Sequence, residues 1–144
     1  MSKTSTSSSS RAPLVLLDAN MLMLAANGIR VFEHIEEQLA SKPRYLILRP
    51  VYNELVKIAT TGPPQVRRRA LFALKLVEVF CEVVDYGDES STSVDDLIIK
   101  YALENKAIVA TNDRELRSKL RRLGIPEAYF REESRRVVVE GYFK

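Results

Sequence analysis

Short apolar runs alternate with stretches of helical period along most of this chain. Leu14, Val15, Leu16 and Leu17 are uniformly apolar and bounded by Pro13 and Asp18, the pattern of a strand covered on both faces of a sheet. A helical pattern starts at Ala19, breaks near Asn27 and Gly28, and resumes with Val31, Phe32, Ile35 and Leu39 before Ser41 to Pro43. Tyr45, Leu46, Ile47 and Leu48 form a second apolar run. Pro50 then suits the start of a helix containing Val51, Leu55 and Ile58. Gly62, Pro63 and Pro64 stop that helix and open another, whose stripe is Val66, Ala70, Ala73, Leu74, Val77 and Phe80.

The alternation continues to the end of the chain. Glu82 to Asp85 predicts a third strand, closing in a loop from Gly87 to Thr92. A helix follows over Val94 to Glu104, with Ser93 and Asp96 as a capping pair. Ala107 to Ala110 predicts a fourth strand, which leads through Thr111, Asn112 and Asp113 into a charged helix ending at Gly124. Val137, Val138 and Val139 supply the expected fifth strand. Strands that alternate with helices argue for an α/β fold, a doubly wound parallel sheet between helical layers.

Composition narrows the class. The 144 residues are 46% hydrophobic and 28% charged, the size and balance of one globular domain. We expect residues 1–12 to be a disordered Ser/Thr-rich tail and 13–144 the domain, since Ser2 to Ser10 offer nothing to pack. The apolar stretches are too short for a membrane helix. The start lacks a secretory signal pattern, and the single cysteine, Cys81, reads as a small buried hydrophobe. A cytoplasmic location fits both. The formal net charge is +3, but the basic residues cluster as Arg67 to Arg69, as Arg114, Arg117, Lys119, Arg121 and Arg122, and as Arg131, Arg135 and Arg136. Such clusters suit either nucleic acid or a solvated helix face.

The chemical signal is where the acids fall. Asp18 ends the first strand, Glu54 sits in the first turn of the helix after the second, Asp95 opens the helix after the third, and Asp113 follows the fourth. In a parallel sheet these positions share one edge. Each has a plainer reading: Glu54 paired with Lys57, Asp95 and Asp96 favoured by a helix dipole, Asp113 a first-turn acid behind an Asn112 and Glu115 capping pair. Asp18 is harder to explain so, because a carboxylate at the end of an interior strand needs a cation or donors. Gathered carboxylates repel unless a metal neutralises them. Hard oxygen ligands select Mg²⁺ or Mn²⁺, ions that can activate water against a phosphodiester. The lone His34 reads as a surface or interface residue rather than a ligand.

These residues resemble the PIN-domain ribonucleases. The match consists of Asp18, Ala19 and Asn20 after the first strand, Glu54 within Val51 to Val56, Asp95, Asp96, Leu97 and Ile98 opening a helix, and Thr111, Asn112 and Asp113 after a strand. Order and setting agree from Leu14 onward, most closely with the archaeal group related to VapC toxins and with the PIN endonucleases of small-subunit ribosomal RNA processing. The resemblance implies a three-layer α/β/α fold with a central parallel sheet of order 3-2-1-4-5. It also implies Mg²⁺- or Mn²⁺-dependent RNA hydrolysis, and the convergence of the acids motivates attack by metal-bound hydroxide that leaves a 5′-phosphate and a 3′-hydroxyl. Asp18, Glu54, Asp95 and Asp113 would then be the catalytic quartet, with Asp18, Asp95, Asp113 and additionally Asp96 as metal ligands. Asn20, Thr111 and Asn112 would support them by hydrogen bonds. Ala19 departs from the hydroxyl residue many members carry, leaving one donor fewer near Asp18.

Arg114, Arg117, Lys119 and Arg121, on the helix that starts beside Asp113, are candidates for guiding RNA. RNA is the expected partner, with an antitoxin or a pre-ribosomal particle as the protein partner the resemblance implies. The apolar stripes over Val31 to Leu39 and Val66 to Phe80 suit either core packing or a homodimer. Three competing readings remain. A non-catalytic RNA-binding module acting as an assembly or scaffold factor keeps the acids without cleavage. A receiver-like domain needs a strand-end lysine that this sequence lacks. A nucleotide-binding Rossmann domain needs a glycine-rich turn after the first strand, where Asp18, Ala19 and Asn20 stand instead.

Overall fold

Three buried residues of β1 (Leu14–Leu17), namely Val15, Leu16 and Leu17, are at most 1% exposed, so the first apolar run lies inside the sheet. Enclosing such a side chain contributes about 1.5–3 kcal/mol, which makes this strand the anchor of the core. The computed structural model describes residues 12–87 and 92–143. The tail expected over residues 1–12, apart from Ala12, lies outside the described residues, as do residues 88–91 of the predicted loop.

Beside β1 run β2 (Arg44–Leu48) and β4 (Ile108–Ala110), then β3 (Cys81–Val84) and β5 (Glu127–Arg131), with β6 (Arg136–Glu140) outermost. The order is β3-β2-β1-β4-β5-β6. All neighbours pair parallel except β5 and β6. The helices are α1 (Ala19–Ala26), α2 (Val31–Leu39), α3 (Arg49–Thr61), α4 (Pro64–Phe80), α5 (Val94–Asn105) and α6 (Arg114–Leu123). They complete the expected α/β/α layering, with Gly124 closing α6 in the left-handed conformation (φ 71°) that lacks a steric penalty for glycine. Among the described residues no helix is long and apolar enough to cross a membrane.

The order 3-2-1-4-5 is present, but its fifth strand is Glu127–Arg131. Val137 to Val139 belong to β6, which is antiparallel. Four residues separate the two strands, enough for a hairpin and too few for a crossover. Glu127 hid β5, since a charge there breaks the apolar pattern. It is nevertheless only 3% exposed.

The outer edge of β6 is closed by side chains of α2. His34 Nδ1 accepts from the Val137 N–H (3.1 Å), Gln38 Nε2 donates to the Val137 carbonyl (2.7 Å), and Gln38 Oε1 accepts from the Val139 N–H (2.9 Å). A helix thus satisfies the groups an edge strand would offer to another chain. His34 is therefore no surface residue: it is 6% exposed. Burial and the nearby Arg136 charge lower its pKa against the opposite pull of Glu37 and Glu33. The bond to Val137 requires Nδ1 unprotonated, and the environment favours that form. At the opposite edge Cys81 begins β3, partly exposed, and burial of its thiol pushes the pKa up to about 12. It packs as an apolar group, not as a nucleophile.

Candidate active site

The β1–β4 ladder sets the geometry of the acidic edge. Leu17 pairs with Ala110, so the residues that follow, Asp18 and Thr111, leave the sheet side by side. The Asp18 N–H donates to the Ala110 carbonyl at 3.2 Å. Asp18 is the N-cap of α1, its Oδ1 accepting from the Met21 N–H at 2.8 Å. Its Oδ2 accepts from the Thr111 hydroxyl at 2.5 Å. The same hydroxyl oxygen accepts from the Asp113 N–H at 3.1 Å. Thr111, fully buried, thereby couples the first predicted acid to the backbone of the fourth.

Electrostatics link all four acids through Asp18 and Asp113. Desolvation by burial raises the pKa of Asp18 from 3.8 to about 6, partly offset by the Thr111 and Met21 hydrogen bonds and reinforced by the charges of Glu54 and Asp113. Asp95 is also raised, first by burial and then by Asp113, while Lys119 acts the other way. Asp113 is the neighbour common to Asp18 and Asp95. It caps α6 itself, Oδ1 accepting from the N–H groups of Glu115 (2.9 Å) and Leu116 (3.1 Å). The acids share one edge of the sheet as expected. Among the described residues, however, no three acidic, histidine or cysteine side chains close into a cation-sized cluster.

Several expectations need correction. Glu54 is the sixth residue of α3, one turn deeper than expected, because α3 begins at Arg49 directly after β2. It is exposed and makes no salt bridge to Lys57. Asp96 is exposed and follows Asp95 in the first turn of α5. Its backbone N–H meets Ser93 Oγ at 3.1 Å, so that predicted cap forms. Asn112 does not cap α6. Its Oδ1 accepts from the Phe130 N–H at 2.7 Å, tying the turn after β4 to β5 and supporting the edge from behind. Asn20 stands exposed in the first turn of α1, with no side-chain hydrogen bond to a described residue.

The basic helix divides by face. Arg117 and Arg121, two of the candidates for guiding RNA, are bonded through Nε to Glu127 Oε1 (2.6 Å) and Oε2 (2.8 Å). Arg114 and Lys119 form no salt bridge among the described residues, and Lys119 lies within the field of Asp95. Glu127 was missed because its strand was missed. Gly124 and Pro126 ahead of Tyr129 and Phe130 were the signal that could have revealed it.

The donors present suit a hard divalent ion: they are oxygens only, and the most enclosed of them, Asp18, carries a charge its surroundings penalise. The acidic edge is open, with Glu54 and Asp113 exposed. A groove of about 440 Å³ lined by Tyr52, Leu71, Leu74 and Val77 lies at the β3 side of the sheet and contains none of these acids. An open acidic edge beside a basic helix suits a polymer more than an enclosed small molecule.

Comparison with known proteins agrees with this arrangement. A family model described as PIN like domain matches residues 15–133. Ribonuclease VapC9 of Archaeoglobus fulgidus is 36% identical over 126 residues, covering 87% of each chain. Ribonuclease VapC4 of Methanocaldococcus jannaschii is 32% identical over 115 residues, covering 78% of this chain and 86% of its own. Among solved structures, that of the PIN domain endonuclease Utp24 superposes with a TM-score of 0.70 at 26% identity. It covers 91% of this chain and 93% of that one.

Proposed function

The chain belongs to the PIN-like domain family, and on that premise we propose that it is a Mg²⁺- or Mn²⁺-dependent endoribonuclease that hydrolyses RNA phosphodiesters at the acidic edge of its sheet. The observation that carries this reading is Asp18. A carboxylate held at the end of a buried strand, with Glu54 and Asp113 in its field, is an expensive arrangement unless a cation offsets it. Two relatives that span most of the chain are named ribonucleases, and a structural neighbour is named an endonuclease.

Asp18, Asp95 and Asp113 would hold the ion, with Glu54 facing them from α3. When bound, a divalent ion supplies Lewis acidity toward the phosphoryl oxygen and lowers the pKa of water for in-line attack. The chain's own groups do the positioning. Thr111 fixes the Asp18 carboxylate through its hydroxyl, so that a donor oxygen stays in place when the edge is empty of substrate. Asp113 holds its rotamer by capping α6, leaving Oδ2 for a ligand. Arg114 and Lys119 flank the acids from α6 and attract the RNA backbone.

The test is cleavage of structured and single-stranded RNA with Mn²⁺, Mg²⁺ and EDTA, for the wild type and Asp18→Asn. Metal-dependent cleavage lost in the variant, with 5′-phosphate and 3′-hydroxyl ends, supports the proposal. A 2′,3′-cyclic phosphate product would remove it. The spacing of the acids among the described residues favours one competing reading, an RNA-binding scaffold without cleavage, which predicts binding but intact RNA under every metal. Two cellular settings are those the family resemblance implies. In one, a VapC-like toxin is restrained by an antitoxin; in the other, an endonuclease works on ribosomal RNA within a pre-ribosomal particle. Growth arrest on expression, relieved by a co-expressed neighbouring gene product, distinguishes them.

A further inference from the structure

One flank of α6 carries four guanidinium groups, from Arg114, Arg117, Arg121 and Arg122, around a shallow depression of about 440 Å³ that also includes Ser118. Two of the four are fixed from below. Glu127, only 3% exposed, spreads its two oxygens to Arg117 Nε and Arg121 Nε. The Arg117 guanidinium also lies over the Tyr129 ring, 3.6 Å from its centroid, and the Tyr129 hydroxyl donates to Glu140 Oε2 at 2.8 Å.

Each guanidinium has five N–H donors, and Glu127 engages each through Nε. Neither makes another side-chain hydrogen bond to a described residue, so the outer nitrogens remain for a ligand. The positive charge is reduced but survives: four guanidiniums stand against the carboxylates of Glu127 and Glu140. The buried carboxylate offers one oxygen to each arginine, and holding the two one helical turn apart also removes, on folding, the rotamer freedom that arginine otherwise loses on binding. Arg114, Arg117 and Arg121 extend along α6 by about 10 Å, and the upper end of that row adjoins Asp113.

We infer that Glu127 is a positioning residue for RNA: it presets Arg117 and Arg121, in line with Arg114, as a phosphate track leading along α6 to the acidic edge. The inference takes its ligand, single-stranded RNA, from the proposed function but does not depend on cleavage. Binding is therefore measured in EDTA, by fluorescence anisotropy of a labelled single-stranded oligoribonucleotide, over about 50–200 mM KCl.

Glu127→Gln adds one net positive charge, so charge counting alone predicts tighter binding. Positioning predicts binding about tenfold weaker, with a shallower dependence of log affinity on log salt, by about 0.7 for each phosphate that Arg117 or Arg121 ceases to neutralise. Affinity equal to or above the wild type overturns the inference. Arg117→Lys keeps the charge while losing the planar fork, and it decides the matter should Glu127→Gln fail to fold by circular dichroism. Weaker binding supports the track and unchanged binding overturns it. Mn²⁺-dependent cleavage by the wild type is scored separately. No cleavage with tight, Glu127-dependent binding removes the nuclease and leaves the track, whereas cleavage with binding indifferent to both substitutions does the reverse.

Discussion

Replacing Asp18 with Asn removes a charge from a site that disfavours it, and the effect on stability has a definite sign. The folded-state pKa, about 6, lies above the ordinary 3.8. The contribution of this group is therefore fully favourable below pH 3.8 and is lost as pH rises through about 6. A gap of roughly two units corresponds to about 3 kcal/mol of destabilisation at neutral pH. Asn keeps one acceptor oxygen for two donors, the Met21 N–H and the Thr111 hydroxyl, and the poorer match returns about 1 kcal/mol. Metal-free Asp18→Asn should thus be about 2 kcal/mol more stable than wild type at pH 7.5, and the advantage should vanish near pH 4. Urea denaturation in EDTA at the two pH values measures both. Adding Mn²⁺ should reverse the order, because a ligand that binds only the native wild type stabilises it in proportion to the logarithm of its concentration over Kd. A variant less stable than wild type at pH 7.5 without metal would refute the reasoning, making Asp18 a satisfied helix cap and not a strained cation site.

Three further outcomes follow from the same geometry. Thr111→Val deprives Asp18 of a donor and leaves the Asp113 N–H unpaired. It should lose about 1–3 kcal/mol in urea denaturation and about tenfold or more in cleavage rate. Asp95→Asn should sharply reduce Mn²⁺-dependent cleavage while Asp96→Asn leaves it within about twofold, since Asp95 is half-buried in the field of Asp113 and Asp96 is exposed, and equal losses in the two would refute that distinction. For His34 the folded pKa lies below the ordinary 6.5, so its contribution is complete above 6.5 and is lost as pH falls toward the folded value. The stability difference between wild type and His34→Gln should therefore shift against the wild type between pH 7.5 and 5.5. A difference constant across that range would mean that protonation of Nδ1 does not break the Val137 bond.

Much of this protein is legible one segment at a time. The runs at Leu14, Tyr45 and Ile108 announce strands because they are short, apolar throughout and followed by helix signals. From that alone Asp18, Glu54, Asp95 and Asp113 are assigned to one edge, since parallel strands joined by helices all end on the same side. β5 escaped because its first residue is a buried acid, acceptable there only through two arginines on a different element. His34 was misread for a similar reason, as its partner, the Val137 N–H, lies 103 residues away.

The elements from β1 to α6 and the side of the sheet that carries the acids were thus settled by the sequence itself, through periodicity and the handedness of crossovers, which act locally. Tertiary packing alone decided that Thr111 joins Asp18 to Asp113, that Asn112 ties the turn to β5, and that Glu127 holds Arg117 and Arg121. Those facts depend on the distance and direction between side chains remote along the chain, and on how far burial weakens solvation. No local pattern of residues encodes either quantity.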